Sequence, residues 1–326
     1  MSDSATRKCT LVTGAAGFIG SHLSDRLLES GHSVIGVDNL SRGSMANLAS
    51  AVKHPEFMFV EADLTETDSL RKIVAGVEID DVWHMVANSD IAAGVADPAI
   101  DFRNTFLTTF NLITAMRESG IRRIAFASTS AVYGVNDNIL HEDTGPLFPI
   151  SNYGAMKLAS EALISASVES FLERAWIFRF PNVVGSRATH GIIFDLLTKL
   201  GKNAGELEVL GDGAQQKPYL HVSELVEAML LIHERGLKPL NWFNIGPADE
   251  GVTVRQIAQT VVNQTAPATP IRFTGGSKGW TGDVPRFRYS IEKIKALGWS
   301  PRFNSAEAIN RAVLEIAREF QSRASK

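Results

Sequence analysis

The sequence predicts an α/β fold, a doubly wound parallel sheet over residues 1–184 with a second, smaller α/β domain over residues 185–326. Short apolar runs alternate with segments of helical periodicity from residue 9 to about residue 184. Several runs are apolar at consecutive positions, as in strands covered on both faces. Beyond residue 185, Gly and Pro are more frequent and the elements are shorter. Whether parts of this second half return to the first domain is left open.

The predicted strands, in chain order, are CTLVTG, HSVIGVDN, FMFVEAD, DDVWHMVA, RRIAFAST and AWIFRFPNVVG. Between them, residues 18–30, 67–75, 99–119 and 153–172 have the length and periodicity of crossover helices. This alternation of strands and crossover helices is the βαβ pattern of a doubly wound parallel sheet. A last helix is predicted from residue 305 to about residue 324.

The composition is that of an ordinary globular protein. Of 326 residues, 44% are hydrophobic and 21% are charged, and the net charge of −4 provides no basic surface for nucleic acid. No apolar run reaches the length of a membrane span and the N-terminus lacks the apolar segment of a secretory signal, so a cytoplasmic protein is expected. The lone Cys9 is interpreted as a core residue.

A glycine-rich turn follows the first predicted strand. Gly14, Gly17 and Gly20 lie between this strand and the next helix. Glycines there allow a tight bend and a close approach of the backbone to a pyrophosphate, which binds the N-terminus of the helix. The spacing differs from the G-x-G-x-x-G found in classical dehydrogenases, but its place between strand and helix predicts a dinucleotide site.

Acidic residues follow the second and third strands. Asp38 comes eighteen residues after Gly20, where a carboxylate accepts hydrogen bonds from the adenosine ribose, so NAD is favoured over NADP. Arg42 has two interpretations, a site for the 2′-phosphate of NADP or a solvated loop residue. Asp63 also has two, a partner of the adenine amino group or an N-cap of the following helix.

Tyr153 and Lys157 lie one turn apart on the same face of a predicted helix. Tyr289 and Lys293 repeat this spacing, so at least one of the two pairs is an accident or a solvated face. Tyr153 is favoured because it follows the strand that ends in Thr129, and ligands bind at the carboxyl ends of parallel strands.

A phenol acting as a base near neutral pH must have its anion stabilised by roughly 4 kcal/mol, because its ordinary pKa is about 10. An ammonium about 5 Å away would supply roughly 3 kcal/mol at an effective dielectric constant of about 20. Lys157 is therefore predicted to lower the pKa of Tyr153, and a bound nicotinamide cation would add to its effect. Thr129 is predicted to position the substrate hydroxyl.

The motifs TGAAGFIG, VDN, STSAVYG, YGAMK, RFPNVVG and YLHV resemble those of the extended short-chain dehydrogenase/reductase family, the nucleotide-sugar epimerases and dehydratases, over nearly the whole chain. The resemblance implies a Rossmann domain that binds NAD and a substrate domain. It assigns catalysis to Thr129, Tyr153 and Lys157, and the substrate diphosphate to Asn182. The residues it places along the NAD are Gly14, Gly17, Phe18, Ile19, Gly20, Asp38, Asn39, Asp63, Leu64, Val86, Ala87, Asn104, Ser128, Tyr153, Lys157 and Pro181.

The resemblance also bears on the reaction. Family members begin by oxidising the sugar at C4; the dehydratases carry Asp-Glu directly after the threonine, and the decarboxylases carry Ser-Glu. Here those positions are Ser130 and Ala131, so 4-epimerization is predicted. A dehydratase, decarboxylase or reductase is the alternative within the family, and a non-catalytic NAD-binding regulatory protein is the alternative of another class.

A UDP-sugar is predicted, with GDP, CDP and dTDP left open as the nucleotide. Family members that bind UDP usually have Arg-Asp-Tyr-x-His-Val and a second arginine shortly before a Gly-Asp. This chain has Lys217 and Tyr219 in the first motif and Trp280 before Gly282-Asp283 in the second. Because a lysine lacks the guanidinium fork, it replaces the first arginine only in part. Charge from Arg187 or Lys278 is the predicted supplement. The predicted substrate residues are Asn182, Arg187, Lys217, Tyr219 and Asp283.

Two further expectations concern partners and histidines. The resemblance implies a homodimer formed through the helices at 99–119 and 153–172. His84 and His221 are interpreted as packed structural residues, and no spacing of histidines, cysteines and carboxylates predicts a metal site.

Overall fold

The computed structural model describes residues 7–136, 138–276 and 287–324. Its strands are β1 Cys9–Thr13, β2 Ser33–Asp38, β3 Phe57–Glu61, β4 Asp81–His84, β5 Arg123–Thr129, β6 Ile139–Leu140, β7 Arg174–Phe180, β8 Asn182–Val184, β9 Leu207–Val209, β10 Gln216–Lys217, β11 Tyr219–His221, β12 Leu240–Asn244, β13 Val252–Thr253, β14 Ile271–Phe273 and β15 Arg288–Tyr289. Its α-helices are α1 Phe18–Glu29, α2 Thr67–Val74, α3 Ile91–Ala96, α4 Pro98–Asp101, α5 Thr108–Ser119, α6 Asn152–Val168, α7 Ile192–Lys202, α8 Val222–Arg235, α9 Val254–Thr265, α10 Glu292–Lys295 and α11 Ser305–Ala324.

The main sheet has seven strands in the order β12-β7-β5-β4-β1-β2-β3, and each neighbouring pair is parallel. Leu23 of α1 and Met229 of α8 pack on one face, and Leu112 of α5 and Ile164 of α6 pack on the other. The fold is therefore the predicted α/β doubly wound sheet. Because its strands are parallel, their carboxyl ends meet along one edge.

The last predicted strand of the first half is divided at Pro181. The residues before it form β7, and the three residues after it form β8, which leaves the main sheet and pairs with β11. Proline has no backbone N–H for the ladder, so it interrupts the strand. As a result Asn182 lies just beyond the sheet edge.

The helix predicted at 99–119 is continuous but not uniform. It begins as α4, passes through a π-helix at Phe102–Leu107 and continues as α5. Turns of π-helix are rare and occur often at functional sites. The helix predicted at 153–172 ends earlier, at Val168, and the amides of Phe171 and Leu172 turn back to the carbonyl of Ser167.

Residues beyond 185 contribute to two cores. Strand β12 forms the edge of the main sheet beside β7, and α8 packs against α1. Helices α7, α9 and α11 enclose a separate apolar core with β9. The domain boundary at residue 184 stays a prediction. No helix in the described ranges is both long and apolar enough to cross a membrane.

Helix α11 is held against β11 and the segment after β8 by Glu315. Its Oε2 atom accepts from the amide of Ser186 at 3.1 Å and lies 3.1 Å from Nε2 of His221, while Oε1 accepts from Arg311 at 2.9 Å. Burial opposes ionisation, but the hydrogen bonds from His221 and Arg311 prevail and lower the pKa of Glu315 to about 2. The carboxylate thus stabilises the folded state only while it is ionised.

We expect the free energy of unfolding to fall as the pH drops from 4.5, the ordinary pKa of this group, towards 2. In that window Glu315 binds a proton in the unfolded chain but not in the folded one, so acid favours unfolding. For a pKa shift of this size, the free energy of unfolding falls by up to about 3 kcal/mol. Urea titrations of the wild type and of Glu315→Gln at about pH 5 and about pH 3 measure it. The variant should lose less stability between the two pH values, and an equal loss in both proteins would contradict this.

Candidate active site

A cleft of about 760 Å³ opens along the carboxyl edge of the main sheet. One wall is formed by the residues that follow β1, β2, β4 and β5, and the other by α7 and the segment that leads into β10. This is the place where open parallel sheets bind ligands. Among the described residues, those predicted along the NAD all line it: Gly14, Gly17, Phe18, Ile19, Gly20, Asp38, Asn39, Asp63, Leu64, Val86, Ala87, Asn104, Ser128, Tyr153, Lys157 and Pro181.

The turn between β1 and α1 fits a pyrophosphate. Gly14 has φ +75°, in the left-handed region that other residues rarely adopt. A Cβ on Gly20 would lie 2.0 Å from the carbonyl oxygen of Gly14, so only glycine allows the helix to start so close to the turn. The N-cap, Gly17, has no side chain to occupy the first amides of α1. These amides face the cleft and can bind an anion.

Asp38 is buried at the end of β2. Its carboxylate accepts from the amide of Ala16 at 3.0 Å and from that of Leu40 at 2.8 Å, which ties the glycine turn to the second strand. Burial raises its pKa, and these hydrogen bonds oppose the shift. The carboxylate lines the cleft next to the glycine turn, as expected of a residue that contacts the adenosine ribose.

Arg42 and Asp63, each of which has two interpretations from the sequence, both line the cleft. Arg42 lines the cleft with its Nη1 atom 3.4 Å from Oδ2 of Asp90, in an ion pair that leaves 41% of the Arg42 side chain exposed, so both of its interpretations stay open. Asp63 accepts from Asn39 at 3.0 Å and from the amide of Thr65 at 2.8 Å. It is not the N-cap of α2, because that helix begins at Thr67 with Glu66 at the cap. Its contact with adenine stays a prediction.

Thr129 and Tyr153 are brought together in the cleft. Thr129 ends β5, and its hydroxyl accepts from the amide of Ala131 at 3.2 Å. Tyr153 lies in the first turn of α6, whose N-cap Ser151 accepts from the amide of Gly154 at 3.1 Å. The cap fixes the helix start, and with it the phenol beside Thr129.

The pKa of Tyr153 differs from the sequence prediction. Burial raises it to about 12; a hydrogen bond with Thr129 lowers it and the nearby Asp101 raises it. Lys157 is buried as well, and burial lowers its pKa to about 7. Its ammonium donates to the carbonyl of Ala127 and lies 4.5 Å above the ring of Phe126. The prediction that Lys157 depresses the pKa of the phenol is wrong for this structure, since burial disfavours both charged forms.

A buried polar network supports α6 from behind. Arg179 donates from Nη2 to Oε2 of Glu161 at 2.6 Å and from Nε to Oε1 of Glu161 at 3.0 Å. The same Oε1 atom also accepts from the hydroxyl of Ser128. Nη1 of Arg179 donates to the phenol oxygen of Tyr133 at 3.0 Å, and this phenol donates to Asn244 at 2.7 Å. The network joins α6 to β5, β7 and β12.

Sequence reasoning missed Glu161 and Arg179. Two signals could have found them: Glu161 follows Lys157 by one helical turn, and Arg179 is a charged residue within an apolar strand. A charge in a buried strand needs a partner, because an isolated buried ion is costly. The partner is therefore to be sought on a neighbouring element.

Only some of the predicted substrate residues line the cleft. Asn182, Lys217 and Tyr219 line the cleft beyond Pro181. Arg187 does not line it: its guanidinium pairs with Asp25 of α1 at 2.7 Å, and its amide donates to Glu319 at 2.8 Å. The prediction of a substrate contact for Arg187 is therefore not supported, because a carboxylate of α1 already binds it. The other predicted residues of this group lie outside the described residues: Lys278, Trp280, Gly282 and Asp283.

The competing tyrosine–lysine pair lies elsewhere. Tyr289 packs its ring against Tyr133 and Phe287, and the ammonium of Lys293 donates to the carbonyl of Trp242 at 2.7 Å. Neither residue lines the cleft. The structure thus places Tyr153, and not Tyr289, in the cleft.

Both histidines considered earlier are packed. The ring nitrogens of His84 lie 2.7 Å from the hydroxyl of Thr13 and 3.1 Å from that of Thr109, and burial lowers the pKa of His84 to about 3. His221 is hydrogen-bonded at both nitrogens, to Ser223 and to Glu315. This agrees with their interpretation as structural residues.

The parallel sheet, the glycine turn, the acid after β2 and the cleft tyrosine define a dinucleotide-binding α/β protein of the short-chain dehydrogenase class. The chain matches the model of the NAD dependent epimerase/dehydratase family over residues 10–246 and belongs to that family. This confirms the resemblance noted from the motifs. The cofactor of the family is NAD, as predicted.

Similar proteins include epimerases and a dehydratase. The chain is 31% identical to the UDP-glucose 4-epimerase of Mycolicibacterium smegmatis, over 93% of this chain and 97% of that protein. A solved structure of a UDP-galactose 4-epimerase is 35% identical, covers 95% of this chain and 99% of its own, and has a TM-score of 0.85. A dTDP-glucose 4,6-dehydratase from Streptomyces venezuelae with NAD bound has the same TM-score at 26% identity, over 96% and 98% of the two chains.

Proposed function

We propose that the protein is an NAD-dependent nucleotide-sugar 4-epimerase. The observation that carries this proposal is the pair of residues after Thr129 in the cleft. Ser130 and Ala131 line it directly behind the threonine, and neither has a carboxyl group to remove a C5 proton or protonate a leaving group. Oxidation and re-reduction at C4 need the nicotinamide of NAD as hydride acceptor and donor and, from the protein, only the groups that Thr129 and Tyr153 supply. Elimination needs an acid and a base as well.

Thr129, Tyr153 and Lys157 have separate roles in this reaction. Thr129 orients the C4 hydroxyl, and the phenolate of Tyr153 accepts its proton and later returns it. Lys157 lines the cleft and donates to the carbonyl of Ala127, which ties α6 to β5 and leaves its ammonium where it can hold the nicotinamide ribose. NAD bound in the cleft would supply the hydride acceptor for oxidation at C4 and the hydride donor for the return to the other face, and its positive charge would favour the ionised form of Tyr153.

The NAD would be held by the residues already described. The first amides of α1 bind the pyrophosphate and Asp38 binds the adenosine ribose, because both line the cleft next to the glycine turn. Since the cofactor is regenerated in each cycle, it has no need to leave the site.

We infer that the substrate is a UDP-sugar. The relatives named as UDP-glucose and UDP-galactose 4-epimerases support this, and Lys217 in the cleft supports an anionic diphosphate. Glucose and galactose, or an acetamido or uronic acid relative, are the candidate sugars.

The test is to incubate the purified protein with a panel of UDP-, dTDP-, GDP- and CDP-sugars and to resolve the products by NMR. We expect interconversion of the two C4 epimers of a UDP-sugar, with no accumulation of NADH and no change of mass. Loss of water or carbon dioxide, or NADH formed in step with product, would contradict epimerization and support the alternatives within the family. Binding of NAD with no turnover of any sugar would support a regulatory protein.

We propose that the protein forms a homodimer through the face made by α4, the π-helix and α5 together with α6. Phe102 and Phe110 expose 48% and 47% of their surface on this face, and Phe106 packs against Phe102. Aromatic residues exposed along one helical row are typical of an interface. Sedimentation as a monomer at micromolar concentration would contradict this. The cytoplasmic location stays a prediction.

A further inference from the structure

Gln215 is a buried amide with no side-chain partner among the residues that the structure describes. It lines the cleft just before β10 and exposes only 5% of its surface. Within the described ranges, neither Oε1 nor Nε2 of its side chain has a hydrogen-bond partner. Its backbone is fixed, since its carbonyl accepts from the amide of Val254 at 2.9 Å. Buried polar groups nearly always have partners, so an unpaired amide on the wall of a binding cleft indicates a ligand.

The neighbouring glutamine has the opposite orientation. Gln216 donates from Nε2 to the carbonyl of Gly251 at 3.3 Å and does not line the cleft, whereas Lys217 does. Side chains of an extended segment alternate between its two faces. Gln215 and Lys217 thus point to the ligand, and Gln216 points away from it.

The position of Gln215 can be traced from the catalytic residues. Thr129 pairs with Phe180 in the main sheet, and Asn182 follows two residues later. Asn182 pairs with Tyr219, from which the chain leads back through Lys217 to Gln215. Four residues of extended chain span about 13 Å.

A nucleotide sugar has its sugar at one end and its base at the other, with the diphosphate and then the ribose between them. If the sugar C4 lies at Tyr153, the diphosphate comes to Lys217 and the base to Gln215. A diphosphate offers only acceptors, and would leave Oε1 of Gln215 without a partner. The edge of uracil offers a carbonyl next to a ring N–H, and an amide satisfies both.

We propose that Gln215 binds the edge of the substrate's uracil, with Nε2 donating to a base carbonyl and Oε1 accepting from the ring N3–H. This inference rests on the proposed function. Gly211 makes room for the amide, because a Cβ there would lie 2.6 Å from Nε2 of Gln215. A glutamine that pairs with a base edge at two points selects the base, since a ligand without the matching groups leaves both polar atoms buried and unpaired.

The experiment measures the binding of UDP and of N3-methyl-UDP, in which the ring N–H is blocked, by calorimetry on the NAD-loaded protein. Gln215→Leu should weaken UDP binding about ten- to a hundredfold, as expected for a two-point contact with a base. Methylation should weaken binding to the wild type and change little in the variant, because the two changes remove the same contact. The matched control, Gln216→Leu, should bind both ligands like the wild type.

Three outcomes would overturn the inference. Gln215→Leu could bind UDP like the wild type yet convert UDP-sugars more slowly, in which case the amide contacts the sugar. It could lose the same factor for UDP and for N3-methyl-UDP, which indicates a contact with the ribose or a structural role rather than a contact with the base edge. If the wild type binds N3-methyl-UDP as tightly as UDP, the ring N3–H makes no contact with Gln215 and the inference is also overturned. A wild type that binds no UDP and converts no nucleotide sugar would instead contradict the proposed function, so the two failures are distinguishable.

Discussion

Tyr153→Phe is expected to lower the turnover of a UDP-sugar by about 10² to 10⁴-fold, the usual contribution of a general base. Phenylalanine keeps the ring and removes only the oxygen, which lies beside Thr129 in the cleft. The glycine turn and Asp38 are untouched, so the variant should purify with as much NAD as the wild type. Epimer formation followed by NMR and the NAD content of the denatured protein are the two measurements.

The chain offers a matched control for this variant. Tyr289→Phe makes the same change in the other tyrosine that precedes a lysine by four residues, and Tyr289 does not line the cleft. It should retain most of the activity. If Tyr153→Phe were as active as the wild type, or if Tyr289→Phe lost more activity than Tyr153→Phe, the assignment of the base would be incorrect.

Glu161→Ala is expected to lower the free energy of unfolding by about 3–5 kcal/mol, because it leaves the guanidinium of Arg179 buried without its carboxylate. The two side chains expose only 8% and 6% of their surface. The double variant Glu161→Leu with Arg179→Met should be more stable than Glu161→Ala, since no unpaired charge is then buried. Urea denaturation of the NAD-free proteins provides the comparison.

An exposed ion pair serves as the control. Glu208 and Arg272 expose 44% and 51% of their side chains, so Glu208→Ala should cost less than about 1 kcal/mol. Similar losses for Glu161→Ala and Glu208→Ala would mean that the buried pair has no special role in the stability of α6. A double variant less stable than Glu161→Ala would argue that the hydrogen bonds of Arg179 to Tyr133 matter more than its charge.

Much of the cleft could be predicted because its signals are local. The glycine turn, the acid after β2 and the hydroxyl that ends β5 each lie at a strand end, and the topology of a parallel sheet brings strand ends together. The residues predicted along the NAD line one cleft for this reason. The roles assigned to them remain proposals, since lining a cleft does not by itself establish a contact.

Other features depend on pairing between distant parts of the chain, which the local pattern does not reveal. The segment Leu240–Asn244 contains two buried polar residues, Asn241 and Asn244, so its sequence does not indicate a strand of the main sheet. The strand with which it pairs lies far away in the sequence, since Leu240 is opposite Ala175. The pKa of Tyr153 could not be predicted from spacing, because it depends on the burial of the phenol and of Lys157. The pairing of Arg187 with Asp25 depends likewise on how α1 packs.

Strand β12 is translated about sixty residues after its neighbour β7, which has a consequence for folding on the ribosome. Strand β7 obtains its outer neighbour only when residues 240–244 have been translated and have left the exit tunnel. Until then the nascent chain presents an open edge of unpaired amides and carbonyls beside β7, which is the kind of surface that recruits other chains. Chaperone protection during translation should therefore matter most in the interval between the completion of β7 and the emergence of β12.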